Sequence, residues 1–406
     1  MASIQPFRAL RPAPDAAPRV SSVPYDVVST DEARQLAAGN PLSFLRVTRS
    51  EIDLPADTDP YSDAVYAKAR ENLRVLRERA PLVLEESKAL YLYRLRMGAH
   101  EQTGVAGCFS IDEYERDIIK KHERTRRDKE DDRTRHIVEV RAQTGIVFLT
   151  YRRSAAVDDL QSAVTNGEPL YDFATPDGVQ HTVWRPSAEH TRTLVEAFAH
   201  IDALYIADGH HRAASAARAR RELTGQRGNA GAANSFIAVA FPDDQVKILA
   251  YHRVVKDLGG RSAEQFYDVV REKFPVRDGS AVPHRKGEVS MFLAGHWYTI
   301  SVDNVPTAGD SRAASLDVAR LQRGVLDGIL GIKDITTDKR IDFVGGARGT
   351  AVLERAVDSG KAAVAFSMYP VSVDDLIAIS DAGGIMPPKS TWFEPKLRDG
   401  LLVHLV

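Results

Sequence analysis

The chain has 406 residues, of which 43% are hydrophobic, and this length and composition predict two globular units rather than a disordered or fibrous protein. Its 54 basic residues nearly balance its 56 acidic ones, for a formal net charge of -2. No global field therefore draws it to nucleic acid or to an anionic membrane, and any recognition of an anion must be local.

The cysteine content and the apolar segments bear on the cellular compartment. The one cysteine, Cys108, lies in an apolar run and has no partner for an intrachain disulfide, which fits a reducing compartment. Residues 1–8 contain no apolar stretch of signal-peptide length, and no window is long and apolar enough to cross a bilayer. We therefore expect a cytoplasmic protein without a membrane partner. The sequence leaves its oligomeric state open.

The predicted elements of residues 1–259 form a first α/β unit. Prolines and arginines through Val27 exclude a long helix and predict an extended segment. Hydrophobic periodicity then predicts a helix over 59–79 and a hairpin of residues 89–95 and 105–111. Further strands are predicted at residues 145–151, 203–207, 235–241 and 246–251, with a helix beginning near His210.

The pattern restarts near residue 260. It predicts, in order, a helix over 263–274, a hairpin over 288–302, a helix over 316–330, a strand over 341–344, another helix and a strand over 362–366. We therefore predict a second α/β unit, residues 260–406, in a protein of the α/β class with a mixed sheet.

An apolar strand meets a helix-forming sequence across one glycine at Asp208-Gly209-His210-His211-Arg212. A glycine there brings the backbone close to a phosphate or carboxylate. His211 and Arg212 fall in the first helical turn, where the helix dipole disfavours cations, so we expect a bound anion to compensate them. Alternatively, Asp208 merely caps the helix and the basic side chains face solvent. A first-turn arginine is not expected in the core, so Arg212→Ala should leave the fold intact.

The two adjacent histidines do not make an attractive metal site together. Neighbouring side chains on a helix point about 100° apart, whereas helical metal ligands normally lie three or four residues apart. Asp208 with one histidine is the remaining alternative. We assign no metal ligands.

The residues from Ile119 to His136 are densely charged, but their acids nearly balance their bases. The run contains no aromatic residue on which a single strand of nucleic acid could stack. Pairs such as Asp131 and Arg135 have i,i+4 spacing, which predicts a solvated helix with ion pairs along it. If the stretch is functional, the best-placed residues are those at its start, Lys121, His122 and Glu123.

Two proline-stiffened segments carry further polar side chains. In residues 21–27 these are Ser22, Tyr25 and Asp26, and the simpler interpretation is that Asp26 caps a turn. Residues 386–396 form a predicted lid or phosphate clamp, or else an ordered structural loop. Its candidate ligand residues are Lys389, Ser390 and Thr391.

Several common catalytic motifs are missing from the sequence. There is no Walker A loop, dinucleotide fingerprint, Gly-x-Ser-x-Gly elbow or CxxC pair. The usual ATPase, dehydrogenase, hydrolase and zinc-finger interpretations therefore lose their support.

The sequence contains six notable segments in this order: Pro24-Tyr25-Asp26-Val27, Asn40-Pro41-Leu42-Ser43-Phe44-Leu45, Lys120-Lys121-His122-Glu123, Gln143-Thr144-Gly145, Ala207-Asp208-Gly209-His210-His211-Arg212 and Met386-Pro387-Pro388-Lys389-Ser390-Thr391. Together they resemble motifs of the bacterial family catalogued as domain of unknown function 1015. The Asp-Gly-His-x-Arg element also resembles that of free-serine kinases of the ParB and sulfiredoxin-like superfamily. This second resemblance implies a ParB and sulfiredoxin-like core in the first unit.

The kinase resemblance implies transfer of a phosphoryl group to the hydroxyl of free L-serine, giving O-phosphoserine. ATP, ADP or pyrophosphate would be the donor, and Mg²⁺ is implied by the chemistry although no ligand set is visible. Such a reaction needs cations around the moving oxygens and a base near the hydroxyl.

The same resemblance gives the residues their implied roles. Asp26 or Glu123 would be the base, with Asp26 favoured by position, and His210 would also be catalytic. The phosphate site would be formed by Asp208, Gly209, His210, His211, Arg212 and Lys121. Substrate or lid residues would be Ser22, Tyr25, His122, Lys389, Ser390 and Thr391.

Other functions remain as alternatives. One is a nucleotide-binding, ParB-like regulatory or DNA-associated protein, which should carry a recognition helix or a basic domain. The sequence shows neither of these features. A nucleic-acid partner is therefore disfavoured, and a small-molecule substrate is expected. A sulfiredoxin-like redox enzyme would need a reactive cysteine, whereas Cys108 lies in an apolar strand. A metal-dependent hydrolase and a catalytically silent scaffold complete the set.

Overall fold

The computed structural model describes residues 1–79, 82–227, 231–305, 309 and 311–406. Contacts divide the chain into two compact units. The first unit comprises Met1–Lys121, Thr125–Val246 and Pro395–Val406, and the second comprises His122–Arg124 and Lys247–Glu394. In the described ranges, no helix combines the length and the apolar character that crossing a bilayer requires.

The strands, in chain order, are β1 (Ile4–Gln5), β2 (Ala9–Arg11), β3 (Val83–Leu84), β4 (Tyr91–Met97), β5 (His100–Ser110), β6 (Ile119–Lys120), β7 (Ala142–Gln143), β8 (Val147–Tyr151), β9 (Tyr171–Ala174), β10 (Val179–Trp184), β11 (Leu204–Asp208), β12 (Ser235–Pro242), β13 (Lys247–Leu249), β14 (Tyr251–Val255), β15 (Val276–Asp278), β16 (Glu288–Leu293), β17 (His296–Ser301), β18 (Ile341–Gly345), β19 (Val364–Met368), β20 (Trp392–Glu394) and β21 (Val403–Leu405).

The α-helices are α1 (Ala17–Val20), α2 (Thr30–Leu36), α3 (Leu45–Thr48), α4 (Asp63–Arg79), α5 (Ile111–Glu115), α6 (Arg127–Val140), α7 (Ala155–Thr165), α8 (Ala188–Phe198), α9 (His210–Arg227), α10 (Ala263–Lys273), α11 (Asp317–Leu321), α12 (Ala351–Asp358) and α13 (Val373–Asp381). A π-helical segment, Gln322–Asp327, continues α11.

The main sheet of the first unit has the strand order β6-β11-β8-β12-β5-β4-β10-β9, with β1 added to β5. β12 is parallel to β8 and β11 is parallel to β6, whereas β4, β5 and β10 pair antiparallel. Every residue of β8 and β12 is buried, as expected for strands covered on both faces. The predicted α/β class with a mixed sheet is confirmed.

Helix α9 follows β11 and packs on the sheet and on α6. Ala213, Ala216 and Ala217 belong to one hydrophobic cluster with Val147 of β8 and Ile206 of β11. Small side chains on this face let the helix backbone approach the sheet closely. The start of α9 is therefore held tightly against the end of β11 and the residues before β8.

A second sheet of the first unit, in the order β3-β2-β21-β7, contains the last strand of the chain. Because β21 pairs with β2 and β7, residues 395–406 belong to the first unit. Residues 247–259 lie in the second unit, since β14 pairs there with β18 and β19. This division differs from the predicted boundary at residue 259, which took no account of pairing between distant segments.

The second unit is built on a six-stranded sheet, β15-β17-β16-β19-β14-β18, and a two-stranded one, β13-β20. The predicted hairpin is β16 and β17, and the predicted helices and strands of this part match α10, α11 with its π-helical continuation, β18, α12 and β19. Leu353 of α12 packs with Phe292 and Ala365 of the sheet.

The densely charged stretch is not a single helix. Ile119 and Lys120 form β6, and helix α6 begins at Arg127. Its ion pairs also differ from the prediction. Arg135 pairs with Asp63 of α4, and Asp131 pairs with Arg218 of α9. Asp131 and Arg135 therefore join α6 to neighbouring helices instead of pairing with each other.

Candidate anion site of the first unit

The turn between β11 and α9 depends on Gly209, whose φ is +95°. The Gly209 N–H donates to Asp208 Oδ1 at 2.9 Å, and its carbonyl accepts from the Ala213 N–H at 3.0 Å, which begins the helix. A Cβ at residue 209 would lie 3.1 Å from Arg212 Nη1 and 3.4 Å from Val147 Cα. Glycine is therefore required both by the backbone angle and by the close approach of Arg212.

Arg212 turns inward instead of facing solvent, and its side chain is only 7% exposed. Nη1 donates to the Ile146 carbonyl at 2.6 Å, and Nη2 donates to both carboxylate oxygens of Asp26, at 3.1 Å and 3.0 Å. The expectation that this arginine lies outside the core is therefore wrong. The charge that compensates Arg212 is the carboxylate of Asp26, which lies far away in the sequence.

Asp208 belongs to the same charge cluster. Its Oδ2 accepts from Lys396 Nζ at 3.1 Å and lies 3.8 Å from Arg212 Nη2. Burial alone would raise the pKa of Asp208, but Lys396 and Arg212 outweigh burial and hold that pKa well below its ordinary value. Asp26 and Asp208 likewise outweigh burial at Arg212 and raise its pKa. Asp208 and Arg212 are therefore charged at neutral pH.

A third carboxyl group, Asp399, is almost fully buried beside these charges, at 1% exposure. Backbone hydrogen bonds in both directions join it to Ser22, at 2.9 Å and 3.1 Å. Burial raises the pKa of Asp399 to about 7, nearby Arg212 lowers it in part, and Asp26 raises it further. Among the described residues, no hydrogen-bond partner reaches Asp399 Oδ2.

Arg212 also lines a cavity of about 20 Å³, more than the roughly 10–15 Å³ that one ordered water needs. Tyr25, Thr144 and Gly145 share its lining. Within the described part of the chain, the buried Arg212 Nε has no hydrogen-bond acceptor. Three segments singled out by the sequence, residues 24–27, 143–145 and 207–212, therefore converge on one cavity and one cationic donor.

Side chains of α6 also line this cavity. The Arg133 guanidinium lies 4.2 Å from the centre of the Tyr25 ring and pairs with Asp132 at 2.8 Å. Burial and nearby Arg133 lower the pKa of His136 well below its ordinary value, so its ring is neutral. His136 Nε2 lies 3.2 Å from the Thr144 hydroxyl. Burial, with Asp26 nearby, also raises the pKa of the Tyr25 hydroxyl.

The other predicted residues of the first unit have structural partners. The Ser22 hydroxyl accepts from the Leu45 N–H at 3.2 Å, and His211 Nε2 accepts from the Arg126 N–H at 2.9 Å, at the start of α6. His210 is buried. Lys121 pairs with Asp117 and lies over the Tyr114 ring, and neither partner belongs to the Arg212 cluster.

Two predicted residues, His122 and Glu123, fall in the short segment that groups with the second unit. His122 is buried, its carbonyl accepts from the Met386 N–H at 2.8 Å, and its Nε2 lies 3.4 Å from the Thr391 hydroxyl. His122 and Thr391 are therefore neighbours in the second unit.

A buried arginine, Arg253, contacts the backbone of the loop that was predicted as a lid. Arg253 is buried, and its Nη2 donates to the Lys389 carbonyl at 2.9 Å. Lys389 has φ +59°, and its Nζ lies 5.4 Å from the centre of the Tyr251 ring. The Ser390 hydroxyl donates to the Pro387 carbonyl at 2.6 Å. These contacts fit the structural-loop alternative for residues 386–391.

Two residues of the charge cluster come from the C-terminal segment. Lys396 lies in the predicted lid or phosphate clamp, residues 386–396, but nothing local indicates Asp208 as its partner, and Asp399 was not assigned to any site from the sequence. Asp399 lies in Arg398-Asp399-Gly400, directly before the apolar Leu401-Leu402-Val403. An acid next to a glycine, a few residues before a buried strand, is the signal that could have identified it.

The carboxylates of this cluster do not fit a magnesium site. Both oxygens of Asp26 accept from Arg212, and Asp208 is held by Lys396 and by its own turn. Mg²⁺ prefers an octahedral set of oxygen ligands, mostly water and phosphate. In the described cluster, the oxygens of these two acids are already occupied by cationic or N–H donors.

Comparison with solved structures gives distant similarities. SbnI with a C-terminal truncation, from Staphylococcus aureus, is 12% identical, with 74% of this chain and 87% of that chain covered and a TM-score of 0.40. A free serine kinase in complex with AMP is 14% identical, with 74% and 91% covered and a TM-score of 0.37. A conserved hypothetical protein from Pyrococcus furiosus is 13% identical, with 74% and 95% covered and a TM-score of 0.35. Similarity at this level says nothing about activity.

A search of curated proteins finds no match. The family model described as "Protein of unknown function (DUF1015)" matches residues 4–319, which is more than half of the chain. This range contains the Asp26–Arg212 pair and the Asp208–Gly209 turn. The chain therefore belongs to the DUF1015 family.

Proposed function

We propose that this protein is a phosphotransferase that moves a phosphoryl group from a nucleotide or pyrophosphate to the hydroxyl of free L-serine. The observation that carries the proposal is Arg212, a buried cation at a helix start whose Nε–H has no acceptor among the described residues. Such an N–H donor suits an oxygen of a phosphate group, and the cavity beside it has room for a group the size of one water molecule, such as a single phosphate oxygen.

The first step of the proposal is the binding of the donor. The start of α9 supplies backbone N–H groups and the positive end of the helix dipole, and Arg212 adds a fixed guanidinium. Asp26 and the Ile146 carbonyl hold that guanidinium in one orientation, so little side-chain freedom is lost when a phosphate binds. Gly145 lets the arginine lie close to the backbone, because a Cβ there would be 3.1 Å from Arg212 Cδ.

The second step is activation of the acceptor hydroxyl. Asp26 is the carboxylate nearest to the Arg212 donor, and its side chain is 39% exposed, so a small substrate can reach it. A carboxylate in hydrogen-bond reach of the serine hydroxyl would accept its proton as the oxygen attacks the terminal phosphorus. The P–O bond to the rest of the donor would break in the same step, and ADP, AMP or phosphate would leave from ATP, ADP or pyrophosphate respectively. Mg²⁺ supplied with the donor would lower the charge of the phosphates, and the cluster itself contributes positioning and cationic donors.

One observation favours a second function, nucleotide binding for regulation without catalysis. Both oxygens of Asp26 already accept hydrogen bonds from Arg212, which fits a role in holding the arginine instead of taking a proton from a substrate. In that case the site would bind a nucleotide or pyrophosphate and transfer nothing. The two functions differ in one measurable quantity, the formation of O-phosphoserine.

The experiment is to incubate the purified full chain with L-serine and Mg²⁺, with ATP, ADP and pyrophosphate supplied separately, and to measure O-phosphoserine. Product with one donor supports the kinase and names the donor. Binding of a donor without any product at high protein concentration supports the regulatory alternative. Absence of both binding and product contradicts the anion site.

Matched variants locate the activity. Asp26→Asn removes the proposed base while keeping the shape of the side chain and an oxygen that can accept from Arg212, and we expect kcat to fall by about 10²-fold or more. Asp57→Asn makes the same chemical change at an exposed position outside the cluster and should leave kcat unchanged. Equal kcat values for the two variants would remove Asp26 from the mechanism.

A further inference from the structure

Asp399 is the group at this site for which the proposed reaction has no role. It is carried by the C-terminal segment, 1% exposed, and bridged through its backbone to Ser22, four residues before Asp26. Its Oδ2 has no hydrogen-bond partner in the described residues. A buried carboxylate oxygen without a donor is strongly disfavoured when charged, so this geometry favours a protonated carboxyl.

We propose that Asp399 is a positioning residue that carries an exchangeable proton, and that binding of a phosphate-type anion at Arg212 is accompanied by proton uptake on Asp399. The inference rests on the proposed anion site and adds its regulation by pH. It requires no metal and no covalent step.

The charge balance of the cluster gives the reason. The cluster contains three ion pairs: Asp26 with Arg212, Asp208 with Lys396, and Asp132 with Arg133. These pairs sum to zero, so the cluster is neutral when Asp399 is protonated and carries a charge of -1 when Asp399 is ionised. An incoming anion is therefore bound better by the protonated form, and by reciprocity the bound anion favours the proton.

The groups that face Asp399 set the direction of the effect. Arg212 of α9, Arg133 of α6 and the Ile146 N–H favour the ionised form, whereas burial and Asp26 favour the protonated one. Burial is the largest of these influences, and together they raise the pKa of Asp399 to about 7. A bound anion would add negative charge next to Arg212, weaken its effect on Asp399 and raise that pKa further.

The test uses pyrophosphate and isothermal titration calorimetry of the full chain between about pH 6 and about pH 8.5, in two buffers of different ionisation heat. The proteins are the wild type, Asp399→Asn and the exposed control Asp57→Asn. The wild type and the control should take up more protons per pyrophosphate than Asp399→Asn. Because pyrophosphate ionises identically with all three, the difference isolates Asp399.

The affinities give a second readout. Above about pH 7 the wild-type affinity, divided by that of Asp399→Asn, should fall by up to about tenfold per pH unit. Equal proton counts and parallel pH profiles would overturn the role of Asp399 while leaving the anion site in place. Failure of pyrophosphate to bind the wild type at any pH overturns the anion site and this inference with it. If Asp399→Asn does not fold, the wild-type proton count decides, and a count explained by pyrophosphate ionisation alone overturns the proposal.

Discussion

Replacing Arg212 by alanine should destabilise the first unit, and the size of the effect can be worked out from its contacts. The change removes the donor of the buried Ile146 carbonyl and the partner of Asp26. An unsatisfied buried acceptor costs about 1–3 kcal/mol, and breaking a buried ion pair costs about 3–5 kcal/mol. Asp26 is 39% exposed and can be hydrated, so we expect a loss near the lower end, about 3 kcal/mol.

Arg221→Ala is the matched control on the same helix. Arg221 is 63% exposed and pairs with Glu115 at 3.3 Å, so its removal should cost less than about 0.5 kcal/mol. Both variants share the difference in helix propensity between arginine and alanine. The difference between them therefore reports the buried contacts of Arg212.

The assay is urea unfolding followed by fluorescence of Trp184, in a background where Trp297 and Trp392 are replaced by phenylalanine so that the signal comes from the first unit. With a urea slope of about 2 kcal/mol per M, Arg212→Ala should lower the midpoint by about 1.5 M relative to the background protein. Equal midpoints for Arg212→Ala and Arg221→Ala would refute the buried position of Arg212.

Three further predictions concern other groups of the first unit. Asp399 has a pKa of about 7 when folded, against an ordinary value of 3.8, so its stabilising contribution is present at low pH and is lost as the pH rises through about 7. The loss accumulates between about pH 4 and about pH 7 and is at most about 4 kcal/mol. Asp399→Asn should flatten the dependence of the unfolding free energy on pH between these values. Parallel profiles of the variant and the wild type would contradict a protonated carboxyl. Gly209→Ala should lower the free energy of unfolding in urea by about 2 kcal/mol more than Gly178→Ala. Both glycines have positive φ, but a Cβ at residue 178 meets nothing within 4 Å. Similar losses for the two variants would mean that the close approach of Arg212 to residue 209 does not affect stability. Burial raises the pKa of the Cys108 thiol to about 12, so it should react with Ellman's reagent only after unfolding, and rapid reaction of the native protein would revive a redox function.

The local features of the site could be predicted from the sequence. An apolar strand, one glycine and a run of helix formers predict the turn at Gly209 because each of these signals acts within a few residues. The same holds for the hairpin of β4 and β5, whose alternating apolar residues have the period of a strand. Both are short-range patterns.

The direction of Arg212 could not be predicted in this way. From the sequence alone, an arginine in the first turn of a helix is expected to face solvent unless its partner is known. The partner of Arg212 is Asp26, which lies 186 residues earlier in the chain. Lys396 is likewise 188 residues from Asp208. Pairings over such separations are fixed by the fold as a whole, so the sequence indicates the charged residues but not which of them neutralise each other.

The division into units illustrates the same limit. Hydrophobic patterns around residue 260 show where elements begin and end, but not that β21 returns to pair with β2. That pairing brings the C-terminal segment, with Lys396 and Asp399, into the first unit. The carboxyl group that we connect with the pH response of the site is therefore supplied by the last residues of the chain.

A crystal structure of the protein with pyrophosphate would test the central claim most directly. We expect a phosphate oxygen within hydrogen-bond reach of Arg212 Nε, with the second phosphate group at the start of α9. Pyrophosphate bound away from both Arg212 and the start of α9, with the Asp26–Arg212 pair and the cavity unchanged, would contradict this expectation.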